Sequence, residues 1–255
     1  MDKGALTEQL DVALLVFNLF FIFFLGLIAY LHRESKREGY PLVNNLHQPV
    51  GGGLFGMPAP KTYALADGTS MSAPHDRDSQ MPVIGSEDLT IPANAPLVPI
   101  LSPMLEGIGP GAYANRRDIP DVTYEGKNRL VPMRLAEWFS IAPRDPDPRG
   151  MPVYGADDKL AGTVTDAWVD LSETTIRYLE VDIGTGSHVL LPINMADINK
   201  GQGQIVVDAI LAGQFVQVPR QKSADRVTLL EEERIMGYYG AGYLYATPAR
   251  QEPLI

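Results

Sequence analysis

The 255-residue chain has no cysteine. That absence removes disulfides, thiolate metal sites, iron–sulfur clusters and cysteine nucleophiles together. Basic residues are also in short supply: 21 Lys and Arg face 31 Asp and Glu, a formal charge of −10. Nucleic-acid binding rests on released counterions and needs basic surface, so no nucleic-acid partner is expected. Histidine occurs four times, at His32, His47, His75 and His188, with no metal-ligand spacing. There is no Gly-Lys-Ser/Thr phosphate loop and no nucleophile elbow. A hydrolase reading finds no nucleophile–base pair, so the chain is expected not to be an enzyme.

What is present begins with one long apolar run. Fifteen of the 20 residues at 12–31 are Leu, Ile, Val or Phe. A helix of that length is about 30 Å long, the thickness of a bilayer's hydrocarbon core. At about −0.3 to −0.6 kcal/mol each, the 15 apolar side chains favour insertion by roughly −5 to −9 kcal/mol, an upper bound. A signal peptide is the competing reading, but it wants a shorter apolar stretch and a basic front. Here Asp2, Lys3, Glu8 and Asp11 come first, and an uncleaved anchor is expected. One Lys precedes the span, whereas Arg33, Lys36 and Arg37 follow it closely. The positive-inside rule then puts the amino terminus outside and residues from His32 onward in the cytoplasm. Asn18 is expected to bond a neighbouring helix or to be satisfied near the interface. The run holds no His, so an axial imidazole for a haem or chlorin is missing from it.

Residues 41–152 hold 17 of the 21 prolines. Such spacing breaks helices and forbids central strands. Apolar residues such as Leu54, Phe55, Tyr63, Val83 and Ile100 are interleaved, unlike a solvated linker. An extended segment lying on a partner is expected, with short strands near 61–65 and 81–84. Gly51-Gly52-Gly53 reads as a flexible turn. From about residue 150 short apolar runs alternate with Gly/Asp turns, at 152–154, 162–169, 176–183, 188–193 and 205–210. This pattern suggests a small closed or half-closed β-barrel. Alternation in 175–183 puts Leu179, Val181 and Ile183 on one face and Tyr178, Glu180 and Asp182 on the other. Arg177 falls on the apolar face, where it either pairs with Asp170 or turns to solvent at the rim. Asp157-Asp158 reads as a turn pair.

Thr228 followed by Glu231 is a capping-box pattern, opening a last helix. Glu231-Glu232-Glu233 suits the positive end of the helix dipole and needs no catalytic explanation. Gly237, Gly240 and Gly242 imply either close backbone packing or a broken helix. Asp118, Asp121, Glu125, Asp166, Asp170, Glu173, Glu180 and Asp182 form a carboxylate-rich set. A solvated acidic face is one reading. Partly buried carboxylates that pass protons are the other, and composition leaves both open.

Several stretches in order carry a resemblance: Arg37-Glu38-Gly39-Tyr40-Pro41-Leu42, Gly109-Pro110-Gly111-Ala112-Tyr113, Arg116-Arg117-Asp118-Ile119-Pro120, residues 162–170, Arg177-Tyr178-Leu179-Glu180-Val181, and residues 227–250. Together, behind a single anchor, they make the chain similar to the H-subunit family of purple-bacterial photosynthetic reaction centres, over nearly its whole length. The resemblance implies a single transmembrane helix plus a cytoplasmic mainly-β domain, a PRC-barrel, with a C-terminal helix. The implied segments are a periplasmic terminus (1–11), a span (12–31), a Pro-rich segment on partner subunits (32–149), the barrel (150–222) and a helix with tail (223–255).

The same resemblance implies a location in the inner, intracytoplasmic membrane and partners of three kinds. These are the L and M subunits, light-harvesting 1 antenna chains and a cytochrome subunit. Bacteriochlorophyll, bacteriopheophytin, quinones, non-haem iron and carotenoid belong to the complex, none of them bound directly by this chain. The implied role is to cap the L/M core and help conduct protons to the secondary quinone. Glu173 matches a family glutamate on that path, with Asp170 and Arg177 its neighbours. Some relatives carry two histidines at a proton entrance where this chain has Glu125 and Lys127. The entrance here is then expected at Glu125, Asp121 and Asp118, or elsewhere. Tyr30, Arg33, Lys36, Arg37 and Tyr40 are candidates for phospholipid head groups such as cardiolipin. The runner-up is a membrane-anchored adaptor whose barrel binds a soluble partner; it would not co-purify with near-infrared-absorbing pigment.

Overall fold

The computed structural model describes residues 5–7, 10–38, 51–66, 68–74, 98–184 and 186–251. The expected strand at 81–84 lies outside them. The chain divides into two compact units, Met1–Gln80 and Met81–Ile255.

The first unit opens with a short antiparallel pair, β1 (Ala5–Thr7) and β2 (Leu10–Asp11). Then comes α1 (Val12–Glu34), 23 residues long and so about 35 Å in length. It is long and apolar enough to cross a membrane, and none of its residues is buried by the chain itself. Asp11 caps it, accepting from the Ala13 and Leu14 amides at 2.8 and 3.4 Å. The helix runs three residues past the expected end. His32 and Arg33 stand in its last turn, where cations suit the helix dipole. The Asn18 side-chain amide donates to the Leu14 carbonyl one turn back, at 2.8 Å.

Beyond α1, a hairpin forms from β3 (Lys61–Ala64) and β4 (Ser70–Ala73). The expected strand at 61–65 is there, one residue shorter. Gly51–Gly53 is not a loose turn. It leads into a 3-10 turn at Gly53–Phe55 whose ends present the Gly52 and Gly56 carbonyls to the Lys36 ammonium. Gly53 and Gly56 have φ of 67° and 62°, a region that favours glycine.

The second unit is built on one seven-stranded sheet. In chain order its strands are β5 (Leu130–Pro132), β6 (Pro152–Gly155), β7 (Leu160–Asp170), β8 (Thr175–Asp182), β9 (His188–Pro192), β10 (Asp197–Asn199) and β11 (Gln204–Val207). The spatial order is β10-β11-β6-β7-β8-β9, antiparallel throughout except for the β11–β6 pair. The long β7 serves two partners. Its first half pairs with β6, and its second half pairs with β5 through Leu130↔Asp170 and Pro132↔Trp168. The sheet thus recruits a strand from the Pro-rich segment, about twenty residues before the expected start of the barrel. Among the described residues β5 pairs with β7 alone, and an edge strand of this kind tolerates the missing N–H of Pro132.

The core lies around Val153, Val164, Trp168, Leu179, Val181, Leu190, Ile205 and Phe215, all essentially inaccessible to water. The alternation expected in β8 is met in part: Leu179 and Val181 are buried as expected, but the opposite face is not left to water. Tyr178 and Glu180 were expected on the outer face, yet they are 3% and 8% exposed. That face is covered: the Tyr178 hydroxyl meets Glu232, and Glu180 meets Arg134 and Trp168. β11 stops at Val207 rather than continuing to 210, because the Asp208 and Ala209 carbonyls turn to the Arg250 guanidinium. Asp157 does mark a turn, accepting from the Ala212 amide at 2.9 Å.

The last helix, α2 (Leu229–Tyr245), is continuous, and it starts with the expected capping box. The Glu231 amide donates to the Thr228 hydroxyl at 3.2 Å, and the Thr228 amide donates to the Glu231 carboxylate at 2.9 Å. Its glycines allow close packing. A Cβ on Gly237 would stand 2.7 Å from the Gly111 carbonyl oxygen, and one on Gly242 only 2.2 Å from that of Ala209. The reading of a broken helix is overturned.

Candidate functional site

Pairing β5 with the end of β7 has a chemical consequence. It brings Arg129, just before β5, beside Asp170, the last residue of β7. Arg129 Nε donates to both Asp170 oxygens at 3.0 and 2.9 Å. The same guanidinium reaches Asp121 at 3.3 Å and Glu173 at 2.6 Å. Asp170 also accepts from the Ser172 and Glu173 amides at 2.8 and 3.0 Å, tying it into the β7–β8 turn. Burial works to raise the Asp170 carboxyl, but Arg129 and those amides outweigh it and hold the group below the ordinary carboxylate range. The three carboxylates in turn raise the Arg129 guanidinium, Asp170 most of all.

This cluster borders a cleft of about 510 Å³ between the sheet and α2. Arg177 lines it, half exposed, with Asp170 at 3.8 Å and Glu173 at 3.7 Å. Both expectations for Arg177 hold in part: it faces Asp170 and it stands at the rim. The close partner of Asp170 is Arg129, because the strand register places that guanidinium directly against the carboxylate.

The structure therefore brings four of the six expected proton-transfer residues together: Glu173, Asp170, Arg177 and Asp121. It does not bring the other two. Asp118 sits at the start of α2, paired with Lys222 and accepting from the Thr228 hydroxyl at 2.8 Å. Lys222 and Thr228 hold its carboxyl below the ordinary range. Glu125 lies on an exposed turn, paired with Lys127 at 3.2 Å.

Sequence reasoning missed Arg129, whose partner is 41 residues away. It also set aside Glu232. The glutamate triplet divides three ways: Glu231 caps the helix, Glu233 lines the cleft bound to Arg116 at 2.7 Å, and Glu232 lines the same cleft beside Tyr178. There it accepts from the Tyr178 hydroxyl at 3.0 Å. Burial pushes both the Glu232 carboxyl and the Tyr178 phenol up. The available signal was periodicity, since successive residues of a helix point about 100° apart.

A second, smaller cleft of about 380 Å³ lies around Arg134. Arg134 meets Asp166 at 3.1 Å, Glu180 at 2.9 Å and Asp225 at 3.1 Å. Glu180 also accepts from the Trp168 indole at 2.9 Å and stands 3.3 Å from His188 Nδ1.

The candidate lipid residues differ in availability. Tyr30 and Arg33 are exposed, and Lys61, which the sequence reading missed, lies 5.9 Å from the Tyr30 ring. Lys36 is 2% exposed, its ammonium taken by the Gly52 and Gly56 carbonyls. Arg37 bonds Glu34 and the Ala59 and Ala73 carbonyls. These two cations hold the chain to the end of α1 instead of presenting themselves to head groups. Tyr40 lies outside the described residues. Among the described residues, no group of three His, Asp or Glu is placed to hold a metal ion.

Comparison with known families agrees with this architecture. Residues 4–135 match the photosynthetic reaction centre H-chain N-terminal region, and residues 141–213 match the PRC-barrel domain. The second match falls on the sheet from β6 to β11, and the first takes in α1, the β3–β4 hairpin and β5. An apolar helix of membrane-spanning length followed by a mainly-β domain stands in the order of the two matches, with α2 beyond them, and the chain belongs to the photosynthetic reaction centre H-chain family.

Proposed function

We propose that the chain caps the cytoplasmic side of the L and M subunits and conducts protons toward the secondary quinone. α1 anchors it in the inner, intracytoplasmic membrane with the amino terminus outside, as the excess of cations after the span favours. Light-harvesting 1 antenna chains and a cytochrome subunit are its further neighbours. The bacteriochlorophylls, bacteriopheophytins, quinones, iron and carotenoid are held by the other chains. Its own part is structural and proton-conducting, without catalysis. Arg33 and Tyr30 face anionic head groups, whereas the Lys61 ammonium is bonded to Glu34 at 2.6 Å.

The observation that carries this reading is the convergence of Asp121, Asp170 and Glu173 on Arg129 beside an open cleft. Reducing a quinone to quinol takes two electrons and two protons. The protons must cross the cap, and that passage needs titratable groups within hydrogen-bond reach, directly or through water. Glu173 is more than half exposed yet bonded to Arg129, the position of a group that collects protons from water and faces the inner acids.

The test is Glu173→Gln in the intact complex. Proton-coupled transfer of the second electron should slow by roughly tenfold or more, since a positioned proton donor contributes about 10²–10⁴-fold. Transfer of the first electron and assembly should be unchanged. Equal second-electron rates in variant and parent would remove Glu173 from the path. Purification of the chain without near-infrared-absorbing pigment would favour the adaptor reading instead.

A further inference from the structure

A proton-conducting cleft needs at least one group that changes protonation near neutral pH. Most groups lining this cleft do not. Arg116, Arg129 and Arg177 stay charged. Asp170 is held ionised by Arg129 and two backbone amides. The Tyr178 phenol is pushed away from neutrality by burial.

Glu232 differs in its surroundings. It is half-buried on the first turn of α2 and lines the cleft. Its carboxyl makes no ion pair among the described residues, and it accepts a hydrogen bond from a neutral donor, the Tyr178 hydroxyl. The groups facing it are Arg177 and Tyr178 from β8, Asp170 from β7, Asp121 and Arg129 from the segment before β5, and Arg116 and Glu233 beside them. Burial and Asp121 favour its protonated form, whereas Tyr178, Arg177 and Arg129 favour the anion. Opposed influences of this kind leave a carboxyl able to exist in either form.

We propose that Glu232, held by the Tyr178 hydroxyl, is the carboxyl that takes up and releases the transferred proton inside this cleft, and that Asp170 is a positioning residue that stays ionised beside Arg129. The inference rests on the proton-conducting reading above and names the acid that carries it out. The step involves no electrons. A Glu232 carboxylate oxygen takes a proton from a hydrated proton in the cleft, forming the neutral acid. Its O–H bond then breaks toward the next water as the proton moves on. Tyr178 donates to the same Glu232 oxygen in both states while the transferred proton sits on the other oxygen, so the side chain need not reorient between the two.

The experiment uses the intact reaction-centre complex. Light-minus-dark infrared difference spectra on quinone reduction should show a deuterium-sensitive carboxyl C=O band. Glu232→Gln should abolish it, Glu173→Gln should retain it, and Tyr178→Phe should shift its frequency. The second-electron rate in Glu232→Gln should fall roughly tenfold at and above neutral pH, and Glu232→Asp should restore part of it. A band that survives Glu232→Gln, or a rate that follows the parent at every pH, overturns the proposal. If Glu173→Gln slows the reaction while Glu232→Gln does not, this inference fails and the conducting cleft stands. If neither variant slows it, both fail. Should Glu232→Gln not assemble, Tyr178→Phe decides: a shifted band supports the proposal and an unshifted band overturns it.

Discussion

Arg129 and Arg134 are each met by three carboxylates, yet the two clusters are built differently. Around Arg134, two of the three acids, Asp166 and Glu180, are buried, and Trp168 adds an indole N–H to Glu180. Around Arg129 only Asp170 is buried, whereas Asp121 and Glu173 remain open to water. The first cluster locks β7, β8 and the segment before α2 together. The second leaves acids at a solvent-facing cleft with Glu232 beside them. One arginine among three acids can therefore form a closed clamp or an open, water-facing cluster, and burial of the acids separates the two.

That contrast can be broken by substitution. Arg134→Ala should cost the most, about 3 kcal/mol, because two buried carboxylates lose their guanidinium at once, Asp166 keeping only backbone amides and Glu180 only the Trp168 indole and His188. Thermal unfolding of the full-length chain in detergent would measure it. Gly242→Ala should cost about 2 kcal/mol, since the new methyl meets the Ala209 carbonyl and α2 must shift. It should also disturb the Arg129 cleft, which α2 walls, and spare the Arg134 cluster. Arg129→Ala should cost about 1–2 kcal/mol, because Asp170 keeps its two amide donors. Equal losses for Arg134→Ala and Arg129→Ala would erase the distinction.

The pH dependence sharpens it further. The folded pKa of Asp170 is lowered, so the unfolded chain binds the extra proton between that value and about 3.9. The stability contributed by Asp170 is present above about pH 4 and lost as pH falls through the folded value; Asp170→Asn should flatten that acid-side slope. Glu232 runs the other way. Its folded pKa is raised, so its contribution is full below about 4.3 and lost as pH rises through the folded value. Glu232→Gln should therefore raise the melting temperature more at about pH 8 than at about pH 4. The smallest effect belongs to Lys127→Ala. Its pair with Glu125 is largely exposed, so a change below about 0.5 kcal/mol is expected in the same melting experiment.

The strands were legible wherever neighbouring residues decide the outcome. The runs near 152, 162, 176 and 188 became β6 to β9, and the Thr228–Glu231 box opens α2 as expected. What failed to show were pairings between distant segments. Arg129 was overlooked because nothing local marks it; it matters only once β5 lies beside β7. Tyr178 and Glu180 were placed on the wet side because alternation assumes one covered face, and here α2 and Arg134 cover the other. Lys36 looked like a lipid contact because its charge follows the span, but the glycine-rich turn folds back to take it.

The amino-acid order alone dictated the anchor, the strand-and-turn rhythm and the helix cap, because hydrophobic period and capping act over a few residues. Only the tertiary fold decided which guanidinium neutralises which carboxylate and which glutamate enters the cleft. Those choices depend on strand register and helix docking, where residues tens of positions apart meet within hydrogen-bond distance.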